Sequence, residues 1–297
     1  MYARVNGTKL FFDVVGAKLA VVDDELREKS TLIALHGGPD LDHLVLRSFF
    51  DRFSDIAQVV YVDLRGNGRS VGSLPESWTL AQWGDDIRAL CDQLGIDRPI
   101  VFGNSFGGFV AQSYAILHPA HPAGLILSST AARMILSDLL DRVERAGSVE
   151  ARAAAEQVFA VGDEQAYSAF DRLVVPLLMS KSAIQDIWAA HTIMRYELTA
   201  HFQRAPGGEF HHMDFRADLC KVLCPTLVLS GGSGDVITPP EAAQEIADAL
   251  PRDLVRFECL AHCRHGVFRD DPEMTDLIIR SFVAEVEVRE AAMRQPE

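Results

Sequence analysis

The chain has 297 residues, 48% of them apolar and 24% charged. These proportions exclude a disordered tract, a collagen and a disulfide-stapled miniprotein, and the length allows one large α/β domain or a core with an insert. Forty-two acidic against 28 basic side chains give a formal net charge of −14, and so negative a surface makes nucleic acid and anionic membrane poor partners.

The first twelve residues alternate polar and apolar and lack the continuous apolar core of a secretory leader. No run approaches the roughly 20 apolar residues of a membrane span. The five cysteines are odd in number and sparse, which suits a reducing cytoplasm. The expectation is a soluble, cytoplasmic monomer or small homo-oligomer that acts on a small molecule.

In chain order, Asn6-Gly7 reads as a hairpin turn into a strand over Thr8–Val15. Apolar, β-branched runs at Thr31–Leu35, Gln58–Val62, Pro99–Phe102 and Gly124–Leu127 have the length of strands buried on both faces. Between them, helical periods cover Leu41–Phe53, Leu80–Leu94 and Phe106–Leu117. From Ala131 to Leu219 the chain reads as helix after helix, with no strand. Strands resume at Thr226–Leu229 and Leu254–Phe257, alternating with helices at Pro240–Leu250 and Pro272–Val286, and Arg289–Glu297 should fray. Strand–helix alternation predicts a mostly parallel sheet with right-handed crossovers. Residues 1–130 and 220–297 would form its core, and 131–219 a helical cap over the carboxyl ends of the strands.

The most informative stretch is Ile100–Val110, where a strand ends in Gly103-Asn104-Ser105-Phe106-Gly107 and passes directly into a helix. At so sharp a turn, Cβ atoms at positions 103 and 107 would collide, and the central hydroxyl is pushed outward. The Phe106 N–H, at a helix N-terminus, can hold developing oxyanion charge. The loop His36-Gly37-Gly38-Pro39 follows a strand, and the Gly38 N–H is the second expected oxyanion donor. His36 is expected to order that loop. Asp235, in the Gly-rich loop after Thr226–Leu229, can orient an imidazole. Two histidines, His262 and His265, compete for the base; His265, shortly before the last helix, is the stronger candidate. The order Ser105, Asp235, His265 is that of α/β-hydrolases.

Two further groups carry no chemistry of their own. Cys220 with Cys224 and Cys259 with Cys263 have zinc-like spacing but fall at opposite edges of a parallel sheet, so no metal site is expected. Asp63 and Arg65 read as a loop-bracing pair.

Taken together, HGGP (36–39), DLRGNGRS (63–70), GNSFGG (103–108), CPTLVLSGGSGDVITPP (224–240) and HGVFRDDPE (265–273) resemble the α/β-hydrolase superfamily, and within it the proline-iminopeptidase-like branch. The resemblance implies an eight-stranded sheet, a helical cap and a serine hydrolase that needs no cofactor. Aminopeptidase members bind the substrate's free amine with cap carboxylates, for which Glu197, Glu209 and Asp214 are candidates by location. The chain departs from the family pattern at Asp40, where the loop commonly has glycine, and at Phe106, where tryptophan is common. Hydrolysis of a small ester or lactone through an acyl-enzyme is the leading expectation. Removal of N-terminal residues from short peptides is the alternative, and a ligand-binding protein without turnover comes third.

Overall fold

The computed structural model describes residues 1–22, 24–70, 72–179, 192–204 and 206–294. Eight strands form one sheet in the order β1-β2-β6-β5-β7-β8-β9-β10. β1 (Tyr2–Val5) and β2 (Thr8–Val15) are the predicted hairpin, turned by Asn6 and Gly7, both with positive φ. β2 pairs antiparallel with β6 (Ala57–Val62). Every pairing from β6 through β5 (Ser30–Leu35), β7 (Ile100–Asn104), β8 (Gly124–Ser128), β9 (Thr226–Gly231) and β10 (Val255–Leu260) is parallel. The apolar runs from β6 through β9 are central strands because successive side chains point to opposite faces, and both faces are covered, whereas β10 is a half-buried edge. In β5, Ile33 and Leu35 join the core on one side, while Leu32 and Ala34 join the core on the other.

The first of these cores takes α2 (Leu80–Leu94) and α3 (Phe106–Leu117). The second takes α1 (Leu44–Phe50) and the last helix, Pro272–Arg294. The bounds of α2 match the sequence reading because both its ends are signalled. Thr79 accepts a hydrogen bond from the Gln82 N–H, and Gly95 stops the helix at φ 65°.

Three differences from the sequence reading have simple causes. The period over Leu41–Phe53 splits into α1 and a short 3-10 turn at Asp51–Asp55. A separate hairpin, β3 (Leu19–Val22) with β4 (Glu25–Glu28), was not predicted, because four-residue strands reading LAVV and ELRE are too short to show a period. The last helix continues to Arg294 instead of fraying from Arg289, with Arg98 clasping Glu290 at 3.0 Å.

Between β8 and β9 the chain forms α4 (Leu136–Ala146), α5 (Val149–Ala160), α6 (Glu164–Leu173), α7 (Val175–Leu178) and α8 (Tyr196–Phe202). The two ends of this helical run meet: the backbones of Arg133 and Asp214 pair as an isolated antiparallel β-bridge, and the Phe215 N–H donates to the Ala132 carbonyl at 2.9 Å. α9 (Pro240–Ala249) and the short α10 (Val267–Asp270) complete the core. No helix among the described residues is long and apolar enough to cross a membrane.

Candidate active site

β7 lies between β5 and β8 in the middle of the sheet and delivers Ser105 at its carboxyl end. Ser105 has φ 52° and ψ −115°, a conformation that costs a non-glycine residue about 1–3 kcal/mol and persists only where surroundings impose it. Here the Ser105 N–H donates to Ser128 O (2.9 Å), while its carbonyl accepts from Thr130 Oγ1 (2.9 Å) and the Gly108 N–H (2.9 Å). The flanking glycines are required by close approach: a Cβ at Gly103 would lie 2.3 Å from Gly107 O, and one at Gly107 would lie 2.4 Å from Leu35 O. The second collision is with β5, not with the elbow's own strand.

A second squeeze brings the other two groups together. The loop after β9 and the loop after β10 are pressed so closely that a Cβ at Gly231 would sit 2.2 Å from Arg264 O, and one at Gly232 would sit 2.1 Å from Ala261 O. Asp235 therefore faces His265. The His265 Nδ1 lies 3.0 and 3.1 Å from the two carboxylate oxygens, and its Nε2 lies 3.0 Å from Ser105 Oγ. A carboxylate can only accept, so Nδ1 carries the proton and Nε2 accepts from the serine hydroxyl. Asp235 is fully buried and His265 nearly so.

His262, the competing histidine, is 65% exposed and pairs with Asp271 at 2.8 Å, away from Ser105. His36 is buried; its Nδ1 donates to Gly37 O (2.7 Å) and its Nε2 accepts from the Leu64 N–H (3.2 Å). Burial lowers its pKa, so it is a neutral loop brace. The Gly37-Gly38 loop abuts the elbow, with the Gly37 Cβ position 3.5 Å from the Ser105 Cβ. Gly38 has φ 127°, and a side chain there would strike the Asp40 N–H. Phe106 opens α3, so its N–H has no intrahelical acceptor.

Asp63 and Arg65 both brace loops but not each other. Arg65 forks onto Asp86 with two 2.7 Å bonds. Asp63 takes His43 Nδ1 at 2.6 Å and lies near Arg69 and Asp42. Asp42, His43 and Asp63 are the group among the described residues with metal-ligand spacing. Their ligand atoms are occupied internally: Arg69 and the Ile193 N–H bond Asp42, and His43 and the Arg69 N–H bond Asp63. Burial alone would raise the Asp63 carboxyl, but hydrogen bonds and charge from His43 and His36 outweigh it and hold it below the ordinary range.

Ser105 and His265 open into a cavity of about 210 Å³ whose wall includes Phe109, Met134, Leu139, Phe159, Phe170 and Leu178. None of the three cap carboxylates proposed from location lines it. Glu197 is exposed on α8. Glu209, raised by burial, accepts the Leu80 N–H at 2.8 Å and so caps the start of α2. Asp214 is exposed and held down by its bonds to Arg216. The carboxylates that do line the cavity are Asp40 and Asp171, beside Tyr167. Asp40 is 4% exposed, and its Oδ2 makes no close hydrogen bond among the described residues, with the Tyr167 hydroxyl its nearest polar neighbour and a weak counter to burial. Burial pushes its carboxyl up to about 6 and also raises Asp171. Asp40 was visible in the sequence as a departure from the loop pattern, whereas nothing marked Asp171.

The model of the alpha/beta hydrolase fold matches residues 30–272. The chain belongs to the α/β-hydrolase family. Within it the chain lies in the proline-iminopeptidase-like branch. It is 28% identical to the proline iminopeptidase PfmaB of Pestalotiopsis fici, over 96% of this chain and 99% of that one. It is 30% identical to a proline iminopeptidase of Levilactobacillus brevis, over 85% and 87% of the two chains. Among solved structures, a thermophilic esterase from Thermogutta terrifontis superposes with a TM-score of 0.68 at 26% identity, over 94% of each chain.

Proposed function

We propose that this α/β-hydrolase is a serine hydrolase that cleaves small carboxylic esters, lactones included, through an acyl-enzyme. The observation that carries the reading is the unbroken chain from Asp235 through His265 to the Ser105 hydroxyl, each link 3.0–3.1 Å long. Ser105 Oγ attacks the carbonyl carbon as His265 Nε2 takes its proton. The N–H groups of Phe106 and Gly38 stabilise the oxyanion of the tetrahedral intermediate. His265 then gives its proton to the departing alcohol and later takes one from the water that releases the acid. Asp235 holds the imidazole and stabilises its charged form. The mainly apolar cavity wall favours an uncharged acyl group.

Release of N-terminal residues from short peptides is the second reading, and Asp40 with Asp171 favours it. Two carboxylates in the cavity, one with an oxygen that makes no close hydrogen bond, suit a substrate that brings an ammonium group. The five free cysteines accord with work in a reducing cytoplasm.

Parallel assays on a p-nitrophenyl short-chain ester and on proline p-nitroanilide, with fluorophosphonate labelling of wild type and Ser105→Ala, test both. The expected result is ester turnover with labelling confined to Ser105, both lost in the alanine variant. Turnover of the anilide alone would replace the ester reading by the peptide one. A wild-type serine that neither labels nor turns over substrate would leave a binding protein.

A further inference from the structure

Thr238 is the third residue after Asp235 and is 1% exposed. Its backbone N–H donates to Asp235 Oδ1 at 2.8 Å, and its hydroxyl donates to Oδ2 at 2.8 Å. One residue thus grips both oxygens of the carboxylate, and the Ile237 N–H adds a further bond to Oδ1 at 2.9 Å. The Thr238 hydroxyl oxygen is also 3.1 Å from His265 Nδ1, the same range as the carboxylate oxygens. A hydroxyl has one proton and two lone pairs. With the proton committed to Oδ2, a lone pair faces the imidazole, so Nδ1 is ringed by three acceptors. That environment favours the proton on Nδ1 and leaves the Nε2 lone pair for Ser105.

The orientation of this hydroxyl is set by the chain. Thr238 precedes Pro239-Pro240 at the start of α9, and a residue before proline is kept out of the helical region. Its β-branched side chain then has few χ1 choices.

We propose that Thr238 is a positioning residue for the triad: it stops the Asp235 carboxylate from rotating and keeps His265 Nδ1 a donor, so that Nε2 stays aimed at Ser105. The inference rests on the nucleophile reading above, and the test separates the two. Thr238→Val is isosteric but lacks the hydroxyl, Thr238→Ser restores it, and Thr238→Ala covers a valine protein that does not fold. Each is made in wild type and in Asp235→Asn.

The valine variant should lower kcat and the rate of fluorophosphonate labelling by about tenfold with KM within about twofold, since only orientation in the reacting complex is lost. The serine variant should recover to within about threefold of wild type, and in the Asp235→Asn background the valine change should add less than about twofold, because the two groups act as a unit. Unchanged kcat, a rise in KM alone, a serine variant as slow as valine, or full additivity with Asp235→Asn would each overturn the proposal. If wild type neither turns over ester nor labels, the hydrolase reading fails instead. Nitrogen-15 NMR of the His265 ring then still decides on Thr238: a protonated Nδ1 in wild type that becomes mixed in the valine variant supports it, and identical spectra refute it.

Discussion

At position 40 a carboxylate is buried in the cavity with one oxygen that makes no close hydrogen bond, and desolvation pushes it up to about 6 from the 3.8 of a free aspartate. Between those two values the folded chain keeps a proton that the unfolded chain has lost. Stability contributed here is therefore full below about pH 4, falls as pH rises through 6, and stays lower above it. A shift of about two units corresponds to at most ~3 kcal/mol. Asp40→Asn should accordingly be more stable than wild type by ~1–3 kcal/mol at about pH 8 and indistinguishable near pH 3.5, as urea denaturation would show. If the peptide reading holds, the same change should raise KM for amine-bearing substrates more than for neutral esters. For the histidines, His262→Ala removes an exposed pair with Asp271 and should keep most of the activity, whereas His265→Ala should lose about 10³-fold or more in kcat. The reverse result would reassign the base. Ser105, Asp235 and His265 were legible because backbone requirements mark them: the elbow needs glycine on both sides, the Asp235 loop follows the buried strand β9, and the His265 loop follows the half-buried edge strand β10. Asp171 and the placement of Glu197, Glu209 and Asp214 were not legible, because helical period tells which residues share a face but not which cavity that face meets.

Among the elements, the helical run touches the loops of Asp235 and His265 through bonds that end on main-chain carbonyls. The His265 N–H donates to Leu178 O in α7 at 2.9 Å, and Arg264 Nη1 reaches Pro176 O at 3.0 Å. From α4, Arg142 donates to Val236 O (2.9 Å) and Ile237 O (3.3 Å), the peptide units that join Asp235 to Thr238. Burial lowers the Arg142 pKa, which marks a guanidinium that has given up water to make these bonds. Arg142→Ala should cost about three- to tenfold in kcat while leaving the core strands' hydrogen-exchange protection unchanged, because the acid loop would lose its brace and the sheet would not. Equal loss of protection across β5, β7 and β8 would show a global effect instead. Such latches cannot be read from sequence, since a carbonyl acceptor leaves no residue signature. The strands that carry these loops were legible as apolar runs closed by turns, with ends that shift by up to three residues, as in β10, Val255–Leu260 against the expected Leu254–Phe257.

At the scale of the whole molecule, the alternation of strands and helices marks a mostly parallel sheet with a core on each face, and the family resemblance adds its eight strands. The cavity beside Ser105, by contrast, is lined by side chains contributed from distant segments. Sequence relatives that are proline iminopeptidases and a structural neighbour that is an esterase share this frame. Replacing the segment between Met134 and Met213 by the equivalent helices of an esterase should therefore transfer acyl preference while the sheet keeps its register. The check is a substrate panel run beside thermal unfolding, and a chimera that folds but retains the parent's preference would place specificity in the core loops.

Such an exchange is practical because Arg133 and Asp214 close the helical run at a single antiparallel bridge. Whatever lies beyond that bridge enters and leaves the core through one doorway. A transplanted module needs matching hinges there and its own carbonyl for the His265 amide, and without the latter it would fit the frame yet leave the base loose.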